Sequence, residues 1–364
     1  MRRQSTRPTI KEVASEAGVS TQTVSRVINE RPDVSPTTRQ RVQDVIDTLG
    51  YRPSALARSL IRQRSHTLGV VTAGLQYLGP TRTLSGIASA AEGAGYSVLL
   101  TELPGFHANN TVSIFQGLLS RHVDGIIWAV PQVGDNRGWV DAPPIDAGLP
   151  LVYLTMEPGR NVASVSIDNH LGGRLAVSHL LDQGFRRIGH ISGPLDWWEA
   201  RERMAAWKQT LGESGLSVGD NHWAEGNWSS QSGFEAMDRL LTQYPDMDSI
   251  FVANDQMALG AMQTITKRGL RIPEDLGIVG FDNVPESAFY SPPLTTIEQD
   301  QYSVAKLAVE EMIKVIESNW SGHQLGEPKT LMLEPTLVIR QSSTSREDPL
   351  DNAGSVGPEV RDDD

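Results

Sequence analysis

The stretch TIKEVASEAGVSTQTVSRVIN, residues 9–29, holds two helix starts and one tight turn. Thr9 followed by Glu12 has the form of a capping box. Ile10, Val13, Ala14 and Ala17 then share one helical face, and Gly18 ends the helix. Ser20 caps a second helix, whose Val24, Val27 and Ile28 face inward. Small Ala14, turn-forming Gly18 and apolar Val19, Val24 and Val27 let the two helices cross closely, as a helix-turn-helix requires. Ser35-Pro36 opens a third helix, a cap followed by proline at the first helical position. Its apolar stripe is Val42, Val45, Ile46 and Leu49, and Gly50 is its stop. Residues 8–52 thus read as a small all-α head.

The second helix is the reader. Thr21 and Gln22 lie in its first turn, and Arg26 follows Gln22 on the same face. Side chains at the start of a recognition helix reach base edges in the major groove. Gln suits adenine and Arg suits guanine, each good pair giving roughly 1–3 kcal/mol of discrimination. Ser20, Asn29, Ser35 and Arg39 are placed for phosphates, which set position rather than sequence. Charge agrees with a DNA partner. The net charge is −12, yet residues 1–64 hold 12 Lys/Arg against 6 Asp/Glu, and the rest hold 20 against 38. A basic head on an acidic body is the asymmetry of a nucleic-acid-reading module.

Beyond His66 the pattern changes. Strand-length apolar runs at 68–72, 98–101, 125–130, 151–154, 188–191, 250–253 and 278–281 alternate with helical stretches at 171–181, 199–211, 233–241 and 256–268. This βα alternation predicts an α/β body with parallel sheets, and the number of units suits two sheets. Residues 342–364 are rich in Ser, Asp, Glu, Pro and Gly and read as a disordered acidic tail with no coiled-coil heptad.

Several classes of function are disfavoured. The 364 residues include no cysteine, which removes disulfides and thiolate chemistry and fits a reducing cytoplasm. No apolar run would span a bilayer, and the basic N-terminus lacks the apolar stretch of a signal peptide, so a cytoplasmic protein without membrane contact is expected. His170, His179 and His190 lack metal-ligand spacing. No phosphate-binding glycine loop or nucleophile elbow is found. An enzyme, a bound metal and a cofactor are therefore not expected.

The head stretch, with Val34-Ser35, Thr38-Arg39 and Leu49-Gly50-Tyr51 after it, resembles the lactose-repressor (LacI) family in order and spacing. The resemblance runs over about residues 8–340. VANDQMALGAM at 252–262, GNWSSQSGF at 226–234 and PPLTTIEQD at 292–300 resemble the family's namesake most closely. The resemblance implies that residues 65–340 form a two-lobed core like that of periplasmic binding proteins. The N-lobe it implies is about 65–164 and 297–325, and the C-lobe about 165–293 and 328–340. It also implies that residues 53–64 form a hinge helix that folds on operator DNA, with Leu60 wedged into the minor groove beside Ala57 and Arg58. By the same resemblance, a ligand between the lobes meets Arg201, Asn254, Asp282, Trp228 and Gln299, with Ala73 and Tyr77 from the N-lobe and Trp197 nearby. Such polar groups suit a polyhydroxylated ligand, and tryptophan gives a sugar an apolar wall. Asn254 and Asp282 also have the bland reading of loop caps, and Trp228 that of plain core.

The expected protein is a homodimeric repressor of sugar-utilisation genes on a pseudo-palindromic operator, released by a sugar effector. A ligand-activated or corepressor-dependent regulator stays open, because the family contains both behaviours. A sugar-binding receptor is the alternative from another class. The chain departs from the namesake at Thr21, where a tyrosine stands, and at Gln301, where an aromatic stands. Trp197 and Trp198 replace small residues. Galactoside and oligosaccharide both remain candidates for the effector.

Overall fold

A computed structural model of the protein describes residues 8–52, 64–107, 110–140, 149–159, 163–321 and 329–344. The hinge positions Ala57, Arg58 and Leu60 lie outside the described residues, as does the tail beyond residue 344. The chain divides into two units, Met1–His66 and Thr67–Asp364.

In the first unit, α1 (Ile10–Glu16), α2 (Thr21–Ile28) and α3 (Pro36–Leu49) form the head. The capping box is present: Thr9 N donates to Glu12 Oε2 at 2.6 Å, and Glu12 N donates to Thr9 Oγ1 at 3.4 Å. Ser20 and Ser35 accept from the backbone N–H of Thr23 and Thr38, satisfying helix-start donors that would otherwise be bare. Gly50 closes α3 at φ 62°, in the left-handed region where a side chain is strained. Val13, Ala14, Ala17, Val24, Val27, Val42 and Ile46 make the buried centre.

The second unit carries two six-stranded sheets. The first contains β1 (Thr67–Ala73), β2 (Ser97–Leu103), β3 (Gly125–Ala129), β4 (Leu151–Leu154), β5 (Ser164–Ile167) and β11 (Thr330–Leu333), in the order β11-β5-β4-β3-β1-β2. Its helices are α4 (Leu78–Gly93), α5 (Thr111–Leu119) and α10 (Gln301–Ser321). The second contains β6 (Ile188–Ser192), β7 (Trp223–Glu225), β8 (Ser249–Val252), β9 (Gly277–Asp282), β10 (Thr295–Glu298) and β12 (Thr336–Val338), in the order β12-β10-β9-β8-β6-β7. Its helices are α6 (Asn169–Asp182), α7 (Trp198–Glu213), α8 (Ser230–Gln243) and α9 (Asp255–Lys267). Every pairing is parallel except β12 on β10.

Both faces of each sheet are covered, which is why the strands read as continuous apolar runs. Leu68 and Val70 face α4 and α10 residues such as Ile87 and Met312, while Val71 and Ile126 face Phe115 and Leu118 of α5. In the second lobe Ile250 and Ile278 pack with α8 and α9, and Phe251 and Val279 with α6 and α7. Among the described residues no helix is long and apolar enough to cross a membrane.

Two expectations on boundaries are corrected. The chain changes lobe after β5, after β10 and after β11, a few residues beyond the approximate bounds of 164, 293 and 325. The reason is backbone pairing. Each crossing segment first completes its ladder in one sheet, since buried N–H and C=O groups left unpaired are costly. The tail does not begin at 342 either. Ser342 and Ser343 are fully buried. Ser342 Oγ donates to Ile278 O at 2.7 Å and accepts from Thr295 N at 2.8 Å, and Ser343 Oγ meets His179 Nε2 at 2.8 Å. A single short turn, Gln341–Ser343, has no periodicity to read.

Candidate functional site

The head presents one polar face. Thr21 and Gln22 are exposed in the first turn of α2, where a groove would be met. Arg26 is also exposed, and its Nη1 lies 3.4 Å from Asp33 Oδ2. Such a solvated pair holds the guanidinium only weakly, so it is free to exchange partners. Arg39 is more committed: Nη1 donates to Val27 O at 3.4 Å and Nη2 to Arg31 O at 2.5 Å. It fastens the loop after α2 to α3. Asn29 Nδ2 donates to Ser25 O at 2.8 Å and closes α2. Ser20 and Ser35 act as caps in the head itself.

In the second unit a cavity of about 350 Å³ opens between the lobes. The N-lobe lines it with Gln76, Tyr77, Thr83, Thr155 and Gln301, and the C-lobe with Asn169, Trp197, Glu199, Arg203, Trp228, Asn254, Asp282 and Gln299. Six of the expected ligand residues are therefore brought together: Tyr77, Trp197, Trp228, Asn254, Asp282 and Gln299. Two are not. Ala73 is fully buried in the N-lobe core. Arg201 turns back on its own loop, with Nη1 donating to Leu195 O at 3.2 Å and Asp196 O at 2.9 Å. Arg203 lines the cavity instead.

The two arginines differ because a helix turns by about 100° per residue. Two steps carry Arg203 to the far side of α7 from Arg201. Ala200, Arg203, Met204, Trp207 and Leu211 are all buried on α7, and their spacing is that of one helical face. A charged residue inside an apolar stripe is the signal that distinguishes Arg203. It is 4% exposed and fully engaged. Nε donates to Asn169 Oδ1 at 2.9 Å, and Nη1 donates to Ala253 O at 2.5 Å and lies 3.9 Å from Asp282 Oδ1. Its guanidinium carbon sits 3.7 Å from the Phe281 ring centre, a close cation–π contact.

Asp282 also accepts from Gln299 Nε2. Burial pushes its carboxyl above the usual range, while Arg203 and the Gln299 amide pull it back. Glu199 is pushed up to about 7 by burial, against a hydrogen bond from its own backbone N–H and the pull of Arg203 and Arg201. Asp255, just behind the cavity, is pushed up to about 8 by burial and by Asp282. Thr296 Oγ1 and Val284 N donate to it at 2.6 and 2.8 Å. Asn254 lines the cavity and is also the helix cap of its bland reading. It caps α9 by accepting from Met257 N at 2.9 Å, while its Nδ2 donates to Trp228 O at 3.0 Å.

Three cavity residues hold left-handed backbone: Thr155 (φ 52°), Trp228 (φ 70°) and Asp282 (φ 113°). Such strain, of order 1–3 kcal/mol per residue, gathers at ligand sites. Trp228 is further fixed by Gly193, where an added Cβ would lie 2.1 Å from the ring. Trp197 meets Tyr77 and Phe106 of the N-lobe edge-on, at 5.3 and 4.8 Å between ring centres. The backbone joins the lobes at the same place: Trp198 N donates to Gln132 O at 3.0 Å, and Gly134 N to Asp196 O at 2.7 Å. Trp198 itself is buried and does not line the cavity. His190 is stacked on Trp207 and Phe251, and burial pushes it down to about 3. No group of three or more His, Asp or Glu among the described residues is arranged to hold a metal.

Known proteins share both the helical head and the cleft. The family model described as bacterial regulatory proteins, lacI family, matches residues 9–54, and that of the periplasmic binding protein-like domain matches residues 177–343. The HTH-type transcriptional repressor PurR of Mannheimia succiniciproducens is 33% identical over 335 residues, covering 92% of this chain and 98% of that one. The chain belongs to the LacI family. Among solved structures, the lac repressor dimer bound to operator and the anti-inducer ONPF matches this LacI-family chain at a TM-score of 0.83. Identity is 32%, with 93% of this chain and 100% of that chain covered. A transcriptional regulator CelR–cellobiose complex matches at a TM-score of 0.66 and 31% identity, covering 92% and 100%. This LacI-family protein is a DNA-binding transcriptional regulator, and not an enzyme.

Proposed function

We propose that this regulator binds a pseudo-palindromic operator as a homodimer in the cytoplasm, and that an uncharged sugar in the cleft releases it. The observation that carries the sugar reading is the lining itself. Carboxylate and guanidinium groups of the C-lobe and amide groups of both lobes converge beside the indoles of Trp197 and Trp228. Hydroxyls both donate and accept, so a polyol can meet such a mixed set, and its apolar ring face fits an indole. The similarity to a cellobiose complex and to an operator-bound dimer supports the same reading. Thr21, Gln22 and Arg26 are assigned to base edges, and Ser20, Asn29, Ser35 and Arg39 to phosphates. Leu60, with Ala57 and Arg58, is assigned to the minor groove. Leu259 is 42% exposed and Phe289 is 87% exposed, and α9 is tied to the next residue of that loop where Tyr290 Oη donates to Asp255 O. These two apolar side chains are assigned to the dimer contact.

Ligand and operator are linked reciprocally. A sugar that weakens DNA binding is itself bound more weakly on DNA, with coupling of ~1–3 kcal/mol. The test selects bound DNA from a random pool and then titrates the complex with sugars. Release by a neutral mono- or oligosaccharide supports induction. Tighter DNA binding with the sugar would convert the reading to corepression. A second reading is a flat heterocycle such as a purine base, favoured by the clustered Tyr77, Trp197 and Trp228 rings. Release by a purine base with every sugar inert would establish it.

A further inference from the structure

The charged and amide groups at the C-lobe side of the cavity mostly have partners already. Arg203 is used by Asn169, Ala253 O and Asp282, and Asp282 by Gln299. Asn254 is used by Met257 N, Trp228 O and Gln256. Three lining side-chain atoms that are shut from solvent, Glu199 Oε2, Gln301 Oε1 and Trp228 Nε1, have no hydrogen-bond partner among the described residues. All three residues line the same cavity. Buried polar atoms are paired in the great majority of cases, so three exceptions around one cavity mark what that cavity is built to receive.

We propose that Glu199, Gln301 and Trp228 read the hydrogen-bond pattern of the effector, which is an uncharged polyol donating hydroxyls to Glu199 and Gln301 and accepting from the Trp228 indole. The proposal rests on the sugar reading of the cleft and specifies it. Two acceptors and one donor match hydroxyls, each of which both donates and accepts. They do not match a phosphate or carboxylate, which would face the carboxyl groups of Glu199 and Asp282 without a proton to offer. The charged groups that face Glu199 are Arg203, Arg201 and Asp282, and the arginines are already engaged.

Position adds to chemistry. Gln301 begins α10 in the N-lobe, whereas Glu199 on α7 and Trp228 belong to the C-lobe. A ligand that satisfies all three ties the lobes together. A ligand shifts a conformational equilibrium only through contacts that differ between the two states, and a bridging set supplies them.

The experiment uses the full chain and the variants Glu199→Leu, Glu199→Gln and Gln301→Leu, with two readouts. The first needs no ligand. Replacing a carboxyl that holds one unpaired, solvent-shut oxygen by leucine raises the Tm of the free protein by about 2–4 °C. A fall would mean that the carboxyl has a structural partner, and would overturn the proposal. The second is calorimetry with glucose, galactose, lactose, cellobiose, glucose 6-phosphate and hypoxanthine. A neutral sugar that binds the parent is expected to lose about tenfold or more in Glu199→Leu and in Gln301→Leu, by the loss of one hydrogen bond to a buried group. Glu199→Gln keeps a carbonyl acceptor and most of the affinity, and glucose 6-phosphate does not bind. Equal binding of a sugar by parent and Glu199→Leu overturns the proposal and leaves the sugar reading intact. Binding of hypoxanthine without any sugar overturns the sugar reading itself. If no compound binds, the ligand-free melting result decides.

Discussion

The face of α2 assigned to DNA and the cavity assigned to the effector are built by opposite means. Thr21, Gln22 and Arg26 sit within two turns of a single helix, fixed by Ser20 as cap and by Val24 and Val27 beneath. The cavity draws its side chains from loops and helices of both sheets, with Arg203, Asp282 and Gln299 meeting across distant parts of the sequence. A face made by one helix is decided by local spacing. A cavity made by many segments is decided by where the sheets deliver them, so a two-residue offset on one helix exchanges one arginine for another.

That contrast breaks most clearly at the arginines. Arg203→Met leaves Asp282 buried without its cation and is expected to cost about 3–5 kcal/mol in urea unfolding. Arg201→Met touches two partly exposed carbonyls and is expected to cost less than about 1 kcal/mol. Equal losses would mean that the cavity is not organised around Arg203.

A second contrast is in pH. No His, Asp or Glu contributes to the buried apolar centre of the head, whereas the C-lobe buries Asp255 and His190 and half-buries Glu199. Asp255 and Glu199 are raised, to about 8 and about 7, so the folded state holds their protons longer than the unfolded state. Their contribution is complete below the ordinary values of 3.8 and 4.5, falls as pH rises above them, and is spent once pH has passed about 8 and about 7. His190 is lowered to about 3, so its penalty appears only as pH falls below its ordinary value of 6.5. The body's Tm should therefore decline between pH 6.5 and about 8 and level off above, and Asp255→Asn should flatten that decline. An unchanged slope in the variant would remove Asp255 from the account.

On the head the expected effects are smaller and separable. Gln22→Ala or Arg26→Ala should cost about 1–3 kcal/mol at one base position and relax selectivity there, read by binding to a pool of single-base variants. Arg39→Ala should instead weaken all sequences alike, through the phosphate term and the α2–α3 loop it holds. Ser20→Ala should cost about 1 kcal/mol of head stability by removing a cap, with the body's melting unchanged.

The head is legible almost residue by residue, because caps, glycine stops and a 3.6-residue stripe are local signals. The sheets are legible as βα alternation, since both faces of each are covered and the strands are apolar throughout. Asp282, Asn254, Trp228 and Gln299 are reached through their motifs. Arg203 escapes the motif reading, although its place in an apolar stripe is visible in the sequence. Glu199 is not legible: a glutamate in a first helical turn is ordinary, and only the packing of α7 turns it into an unpaired buried acceptor. Ser342 and Ser343 look like tail because a three-residue turn that inserts two hydroxyls leaves no period.

The three crossings between lobes bear on how the protein is made. The head has all of its helices once residue 49 has emerged from the ribosome. Neither lobe has that option. The N-lobe sheet lacks its edge until β11, at residues 330–333, and the C-lobe lacks β12 and the buried serines until residue 343. For most of synthesis both half-built lobes expose unfinished sheet edges, the kind of surface that chaperones shield. A chain stopped just before residue 330 would therefore leave both lobes incomplete together, while the head could still fold and occupy DNA without its switch.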